Sequence, residues 1–281
     1  MTKKSSNIAL IAAAVFALAA VVFRSFQLLV TVDYAEMGFF STDAGFFAAN
    51  GIYVLLTAAA ALIILGAILD RKSKAYAFTC GADALTSKQT MALGVVFLLG
   101  ACLRLYDIIF NFSGISVGFF GEALIFAVFA AIGFLIISKV KIKPSTGYLM
   151  LVIAVSYTLK AADLFMGDTV IVRVSDELIL LLSYIASVLL FLSLGRFIAD
   201  NETKSTRLKL VIFGGAAAVL SACASLSGYI ALCIDSEYMK SHMATHPVSQ
   251  IGTAVIAFTV LAVVYGKKSE AEVEAEADDE E

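Results

Sequence analysis

Long runs of apolar residues alternate along the chain with short polar segments, and eight such runs are present. A bilayer core about 30 Å thick is crossed by roughly 20 residues of α-helix, and each run is close to that length. The sequence therefore predicts an all-α polytopic integral membrane protein with eight transmembrane helices, at about 8–32, 45–69, 91–112, 117–138, 147–167, 177–198, 208–234 and 248–266.

The composition supports a bilayer as the solvent of this protein. Of the 281 residues, 60% are hydrophobic and only 15% are charged, whereas a soluble domain has about 25% charged residues. This excludes a soluble enzyme, a nucleic-acid-binding protein and a secreted disulfide scaffold. The connections are too short to bury a core of their own. We expect residues 1–268 to form a single transmembrane domain, followed at 269–281 by a disordered cytoplasmic tail with eight acids and no base.

Basic residues predict the orientation, because Lys and Arg in loops are retained on the cytoplasmic side. Loops on the side of the N-terminus hold fifteen Lys and Arg residues, the opposite loops hold two, and three lie inside predicted helices. We expect both termini to be cytoplasmic and the membrane to be a bacterial plasma membrane. Lys3 and Lys4, followed by an Ala-rich stretch to Ala19, also fit a cleavable signal peptide. The apolar run continues to Val32, which favours an uncleaved first helix.

A short pattern recurs near the outer end of three predicted helices: a cation is followed three residues later by an acid or an amide. After each copy a short turn leads into a returning helix. The simplest description is four helical hairpins of one shape, related by an axis along the membrane normal. The pattern occurs at Arg24/Gln27, Arg104/Asp107 and Lys160/Asp163, and the hairpins span about 1–70, 91–143, 147–198 and 208–266.

The seventh predicted helix lacks this pattern. At the corresponding height it carries Ser221, Ser225, Ser227 and Gly228. Small residues at a spacing of four allow the backbone of a neighbouring helix to approach closely. We therefore expect this helix to be packed at the centre of the protein.

Charged residues inside the predicted helices are the most informative for function. A charge within a bilayer costs at least about 2.5 kcal/mol, so such residues face protein or water. At 1.5 Å per residue, Arg104 and Lys160 lie about 20 Å and Asp107 and Asp163 about 24 Å from the cytoplasmic helix ends, in the outer half of the membrane. The candidate binding residues are Arg24, Gln27, Arg104, Asp107, Glu122, Lys160, Asp163 and Glu177.

Two interpretations of this charged layer remain open. In the functional one, it lines an outward-opening pocket where Arg104 and Lys160 hold an anionic group while the acids bind a cation or a proton. In the structural one, ion pairs between hairpins fix how the hairpins dock, and Arg24 extends to the membrane surface. The spacing of three places each cation and acid on one helix face, where they can contact each other or the next hairpin.

The leading hypothesis for function is a small transporter or permease-like protein that binds a polar or anionic solute in the charged layer. The alternative is a non-catalytic accessory subunit, assembly factor or sensor with a structural charge network and a protein partner. A lipid-modifying enzyme that uses Asp107 or Glu122 as a base is a third class. His242 and His246 have metal-ligand spacing, but their context favours an ordinary exposed loop. No catalytic residue, metal site, cofactor or nucleic-acid partner is predicted.

Overall fold

The computed structural model describes residues 2–33, 39–40, 46–71, 87–110, 116–138, 144–167, 176–199, 206–236 and 246–265. The predicted acidic tail at 269–281 and His242 lie outside these residues.

The described residues are helical almost throughout, as predicted. A 3₁₀ turn at Pro144–Thr146 precedes the fifth helix. The exception is an antiparallel pairing of two residues from β1, Val32–Asp33, with two from β2, Phe39–Phe40. The helices are α1 Thr2–Val30, α2 Phe46–Arg71, α3 Ser87–Phe110, α4 Val117–Ile137, α5 Gly147–Gly167, α6 Asp176–Ile198, α7 Thr206–Ile234 and α8 Ser249–Tyr265.

Seven of these helices, α1 to α7, are long and apolar enough to cross a membrane, with mean hydropathies between 1.7 and 2.7. The eighth, α8, has 17 residues and falls just short of that length. Each helix coincides with a predicted apolar run to within four residues at either end, except that α1 begins six residues before its run. The structure therefore supports a membrane protein, while the crossing of the membrane by α8 stays a prediction.

Consecutive helices pack side by side as the antiparallel pairs α1/α2, α3/α4, α5/α6 and α7/α8. Gly94 near the start of α3 abuts Ile136 at the end of α4, and Gly147 at the start of α5 abuts Gly195 near the end of α6. A Cβ atom added at Gly147 would lie 2.7 Å from the Gly195 carbonyl oxygen, so the absence of side chains permits this approach. That these pairs are copies of one repeated hairpin stays a prediction.

Six helices form a closed ring. Each helix from α3 to α8 packs against the next, and α8 packs against α3. The pair α1/α2 lies outside the ring, and both of its helices pack against α7. Among the helices long enough to span a membrane, α7 has the most buried span, at 67%. Its predicted central position is therefore confirmed.

Aromatic side chains pack against one another inside part of the ring. Phe129 of α4 packs edge-to-face on Phe97 of α3, with ring centroids 5.2 Å apart. Tyr157 of α5 stacks on Phe191 of α6, with centroids 5.7 Å apart. The ring closes where Gly252 of α8 meets the backbone of α3. Buried polar groups such as Arg104 are enclosed by the helices of the ring.

Candidate functional site

Arg104 of α3 is fully buried and is bonded to three neighbouring helices. Its Nη1 donates to Glu122 Oε1 of α4 at 2.7 Å. Its Nη2 donates to the Tyr157 hydroxyl of α5 and, at 2.9 Å, to Thr253 Oγ1 of α8. The guanidinium carbon lies 5.0 Å from the ring centroid of Phe129. Arg104 thus joins α3 to α4, α5 and α8 through polar contacts.

Glu122 bridges two cations. While one carboxylate oxygen accepts from Arg104, the other accepts from Lys160 Nζ of α5. Lys160 Nζ also lies 4.8 Å from the centroid of the Tyr184 ring of α6. We call Arg104, Glu122 and Lys160 the charged cluster. Within it, two cations share one carboxylate, which leaves one excess positive charge among the three side chains.

Asp107 lies one turn beyond Arg104 and holds the start of α8. Its two carboxylate oxygens accept hydrogen bonds from the backbone N–H groups of Val248 at 3.2 Å and Ser249 at 2.7 Å. The first N–H groups of a helix have no partner within the helix, and the helix dipole favours a negative charge at that end. Asp107 therefore caps α8 from a different helix.

Asp163 of α5 has a similar position with respect to α4. Its Oδ2 accepts a hydrogen bond from Ser116 Oγ at 2.8 Å. Ser116 is itself the N-cap residue of α4 and accepts from the backbone N–H of Phe119. Both aspartates of the recurring pattern thus contact the start of a helix in another hairpin, through hydrogen bonds and not through the ion pairs that the structural interpretation expects.

The pair α1/α2 lies outside the ring. Within this pair, Arg24 Nη1 donates to Gln27 Oε1 at 3.1 Å, and Gln27 Nε2 donates to the carbonyl oxygen of Ala48 at 2.5 Å. Arg24 is only 1% exposed. The expectation that it extends to the membrane surface is wrong, because α1 is covered here by α2 and α7.

Glu177 is half-buried in the first turn of α6. It lies seven residues before Tyr184, and two helical turns place both side chains on one face of α6 about 10 Å apart.

Three residues of the site were not predicted from the sequence. Tyr157, Tyr184 and Thr253 contact the charged cluster through a hydroxyl or an aromatic face. The available signal was their helical spacing: Tyr157 lies one turn before Lys160, and Thr253 lies one turn after Ser249. Neither spacing distinguishes them from ordinary helix residues.

Two serines of α7 differ from most of the other helix serines. Serine hydroxyls in helices commonly donate to the carbonyl oxygen four residues earlier, as those of Ser25, Ser156, Ser187, Ser193 and Ser227 do here. Ser221 and Ser225 are fully buried, yet their hydroxyls have no hydrogen-bond partner among the described residues.

Further unpaired polar atoms belong to α3 and to residues around the start of α8. His246 Nε2, Gln250 Nε2 and Arg104 Nε are buried and also lack a partner within the described residues. Together with the hydroxyls of Ser221 and Ser225, we call them the unpaired polar set. A buried polar group without a partner costs about 1–3 kcal/mol, so a group of them indicates a place for water or a ligand.

The contacts of its members place this set among α3, α6, α7 and α8. The other nitrogen of His246, Nδ1, lies 2.8 Å from the carbonyl oxygen of Ala224, and the imidazole abuts Gly228. Ser221, Ser225 and Gly228 share one face of α7 by helical spacing, so this face is directed toward the start of α8.

The other members of the set, Gln250 and Arg104, are connected to α8. Gln250 lies at the start of α8, where its Oε1 is 3.5 Å from Ser183 Oγ of α6. Thr253, one turn further along α8, accepts from Arg104. His246 is only 2% exposed, so the expectation of an exposed loop is wrong for this residue. Within the described part of the chain no group of three His, Cys, Asp or Glu residues could hold a metal ion.

The chain matches no protein-family model, no curated protein and no solved structure at a significant level.

Proposed function

We propose that this protein binds a small polar solute with an anionic or oxygen-rich group, inside the six-helix ring, and acts as a transporter or permease-like carrier. The observation that supports the proposal is the unpaired polar set beside the charged cluster. Arg104 Nε and Gln250 Nε2 are donors, and the hydroxyls of Ser221 and Ser225 are also able to donate. A carboxylate, phosphate or hydroxyl-rich solute supplies the acceptors that these groups lack.

Charge supports the same class of solute. The three directly bonded side chains of the charged cluster carry one excess positive charge. Asp107, the nearest acid on α3, already accepts two N–H groups of α8. A solute with an anionic group would balance the excess positive charge of the charged cluster, while Asp107 keeps both of its hydrogen bonds to α8.

The proposal includes the membrane topology. It requires α8 to cross the bilayer as the eighth span, since α8 completes the ring between α7 and α3. With both termini in the cytoplasm, as the distribution of Lys and Arg favours, the unpaired polar set lies in the outer half of a bacterial plasma membrane. The solute then enters from outside.

The experiment is a thermal-shift screen of the detergent-purified protein against organic anions, amino acids, nucleosides and vitamins. A ligand at 100 times its dissociation constant stabilises the folded state by about 2.7 kcal/mol. We expect Ser225→Ala and Gln250→Leu each to weaken binding of any hit at least tenfold. The matched control is Ser193→Ala, because Ser193 is also buried in a helix but bonds to its own backbone.

Uptake of the hit into proteoliposomes then separates a carrier from a receptor. If Ser225→Ala and Gln250→Leu both leave the binding of a compound unchanged, that compound binds elsewhere in the protein, which contradicts the proposed site. If no compound of the panel stabilises the protein, the carrier hypothesis fails and the second candidate function is favoured.

The second candidate is a non-catalytic accessory subunit, assembly factor or sensor whose charges are structural. It is favoured by the contacts of the charged cluster, which join four helices and involve both cations. This candidate predicts a stoichiometric protein partner after extraction in mild detergent. Asp107 and Glu122 already accept hydrogen bonds or ion pairs from other groups, so a lipid-modifying activity is not part of the proposal.

A further inference from the structure

A groove of about 630 Å³ runs along the outside of the helix bundle, between α1, α7 and α8. Its walls are almost entirely apolar and include Ala14 of α1, Gly215 of α7 and Phe258 of α8. Ile11 and Phe258 on its rim are 66% and 48% exposed, so the groove opens on the surface that faces the membrane. It lies outside the six-helix ring and apart from the unpaired polar set.

One end of this groove is polar. Arg207, the second residue of α7, and Asn7 of α1 line it there. Arg207 is only 7% exposed and also interacts with another group of the protein. Its guanidinium, with five N–H donors, lies at the end of a groove that is apolar along the rest of its length. Guanidinium groups bind phosphate through paired donors. The first turn of α7 adds the N-terminal end of a helix, which also favours an anion.

The length of the groove fits one leaflet of a bilayer. From Arg207 to Val219 along α7, twelve residues rise about 18 Å, and half of a hydrocarbon core is about 15 Å. The cationic end coincides with the bundle end that holds the starts of α1 and α7 and the last turns of α8. A lipid with its headgroup at Arg207 would therefore lie with its acyl chain along the groove and within one leaflet.

We infer that this groove binds an anionic phospholipid of the leaflet on the side of the N-terminus, with the phosphate headgroup at Arg207 and one acyl chain between α1, α7 and α8. The apolar walls accommodate the chain. The charge of Arg207 selects an anionic headgroup, such as that of phosphatidylglycerol, over a zwitterionic one. This site is independent of the solute proposed for the ring.

The absence of Trp from the chain permits a direct test with a single introduced Trp as a fluorescent reporter. Phe258→Trp places the reporter in the groove, and Phe134→Trp places it on the exposed surface of α4 outside the groove. Each protein is reconstituted with phosphatidylglycerol or phosphatidylcholine that carries brominated acyl chains, which quench Trp on contact.

For Phe258→Trp we expect the apparent affinity for brominated phosphatidylglycerol to exceed that for brominated phosphatidylcholine about fivefold. This factor corresponds to about 1 kcal/mol for one basic residue near an anionic headgroup. For Phe134→Trp we expect the two lipids to quench equally. Equal quenching of Phe258→Trp by the two lipids would overturn the inference without any further variant.

Two matched pairs of substitutions locate the contacts in the Phe258→Trp background. Arg207→Gln is expected to abolish the preference, while Arg196→Gln, at an exposed cation at the end of α6, leaves it unchanged. Ala14→Phe is expected to fill the groove and reduce quenching by both lipids. Ala19→Phe, on the exposed face of α1 outside the groove, leaves quenching unchanged.

A preference that survives Arg207→Gln would overturn the assignment of the headgroup to that residue. Soluble glycerol phosphate is added as a competitor to separate a lipid from a free phosphate compound. We expect the preference to persist in its presence. If millimolar glycerol phosphate removes the preference, the site takes a soluble phosphate and the lipid is not its ligand.

Discussion

The carboxylate of Asp107 in α3 accepts a hydrogen bond of 2.7 Å from the backbone N–H of Ser249, the first residue of α8. The two residues are 142 positions apart in the sequence. Through this contact, a side chain of the first helix of the ring fixes the start of the last one. The stability of the ring should therefore depend on Asp107.

We predict that Asp107→Ala lowers the free energy of unfolding by about 1–2 kcal/mol, the usual cost of losing a helix cap. Asp107→Asn should cost less, because the amide oxygen is still able to accept one N–H while the favourable charge at the helix end is lost. Unfolding is followed by the helical circular dichroism signal during titration with a denaturing detergent. Equal stability of both variants and the unchanged protein would show that this cap is not a stabilising contact.

Glu122 offers a second test, since its carboxylate is shared by Arg104 and Lys160. Glu122→Gln leaves two buried cations without their counter-charge, and we expect a loss of about 3–5 kcal/mol. Adding Lys160→Met to Glu122→Gln removes one of these cations, so the double variant should be more stable than the sum of the single losses predicts.

The control for this cycle is Lys88→Gln, a charge change at an exposed position near the start of α3. Such surface substitutions usually change stability by less than about 0.5 kcal/mol. Additive losses in the Glu122/Lys160 cycle would contradict the ion pair.

The closure of the ring depends on a close approach of α8 to α3. A Cβ atom added at Gly252 would lie 2.9 Å from the Cα atom of Gly100, and this backbone atom cannot move independently of α3. We predict that Gly252→Ala destabilises the protein by about 1–3 kcal/mol, the usual cost of overpacking.

Gly214→Ala is the matched control for this substitution. There the nearest atoms are the side-chain carbons of Leu261, at 3.2 and 3.4 Å, which are able to shift. We expect this variant to be as stable as the unchanged protein or slightly more stable, because Ala favours helix over Gly. The same detergent titration measures both variants, and a tolerated Gly252→Ala would contradict the helix contact.

The helices could be predicted because the signal for each is local. Apolar runs of about 20 residues are bounded by charged or polar segments, and α4 between Val117 and Ile137 coincides almost exactly with its predicted run. Which helices contact one another is not a local property. The sequence gives no indication that α8 returns to α3 or that α1 and α2 lie outside the ring, because their apolar faces are equally suited to lipid and to protein.

The candidate residues could be predicted as a group, but their partners could not. A spacing of three allows Arg104 to pair with Asp107 on the same helix, whereas it pairs with Glu122 and Asp107 binds the start of α8. The choice depends on the rotation of each helix about its own axis, which follows from packing across the whole bundle. The sequence marks Ser221 and Ser225 only as small residues, and the structure shows that their hydroxyls have no partner among the described residues.

The central claim is that the unpaired polar set becomes accessible from outside and takes an anionic group. It is tested most directly by labelling Ser225→Cys on intact cells, in a protein whose four native cysteines are replaced by alanine. The reagents are membrane-impermeant methanethiosulfonates, one anionic and one cationic. Ser116→Cys, at an exposed position, is the accessible control, and Ser193→Cys, at a buried one, is the inaccessible control.

We expect Ser225→Cys to react with both reagents, and several times faster with the anionic one, because Arg104 and Lys160 lie in the adjoining charged cluster and attract anions. Ser116→Cys should react without this preference, and Ser193→Cys should not react. Failure of Ser225→Cys to react under conditions that label Ser116→Cys, or a faster reaction with the cationic reagent, would contradict an outward-opening site for an anionic solute.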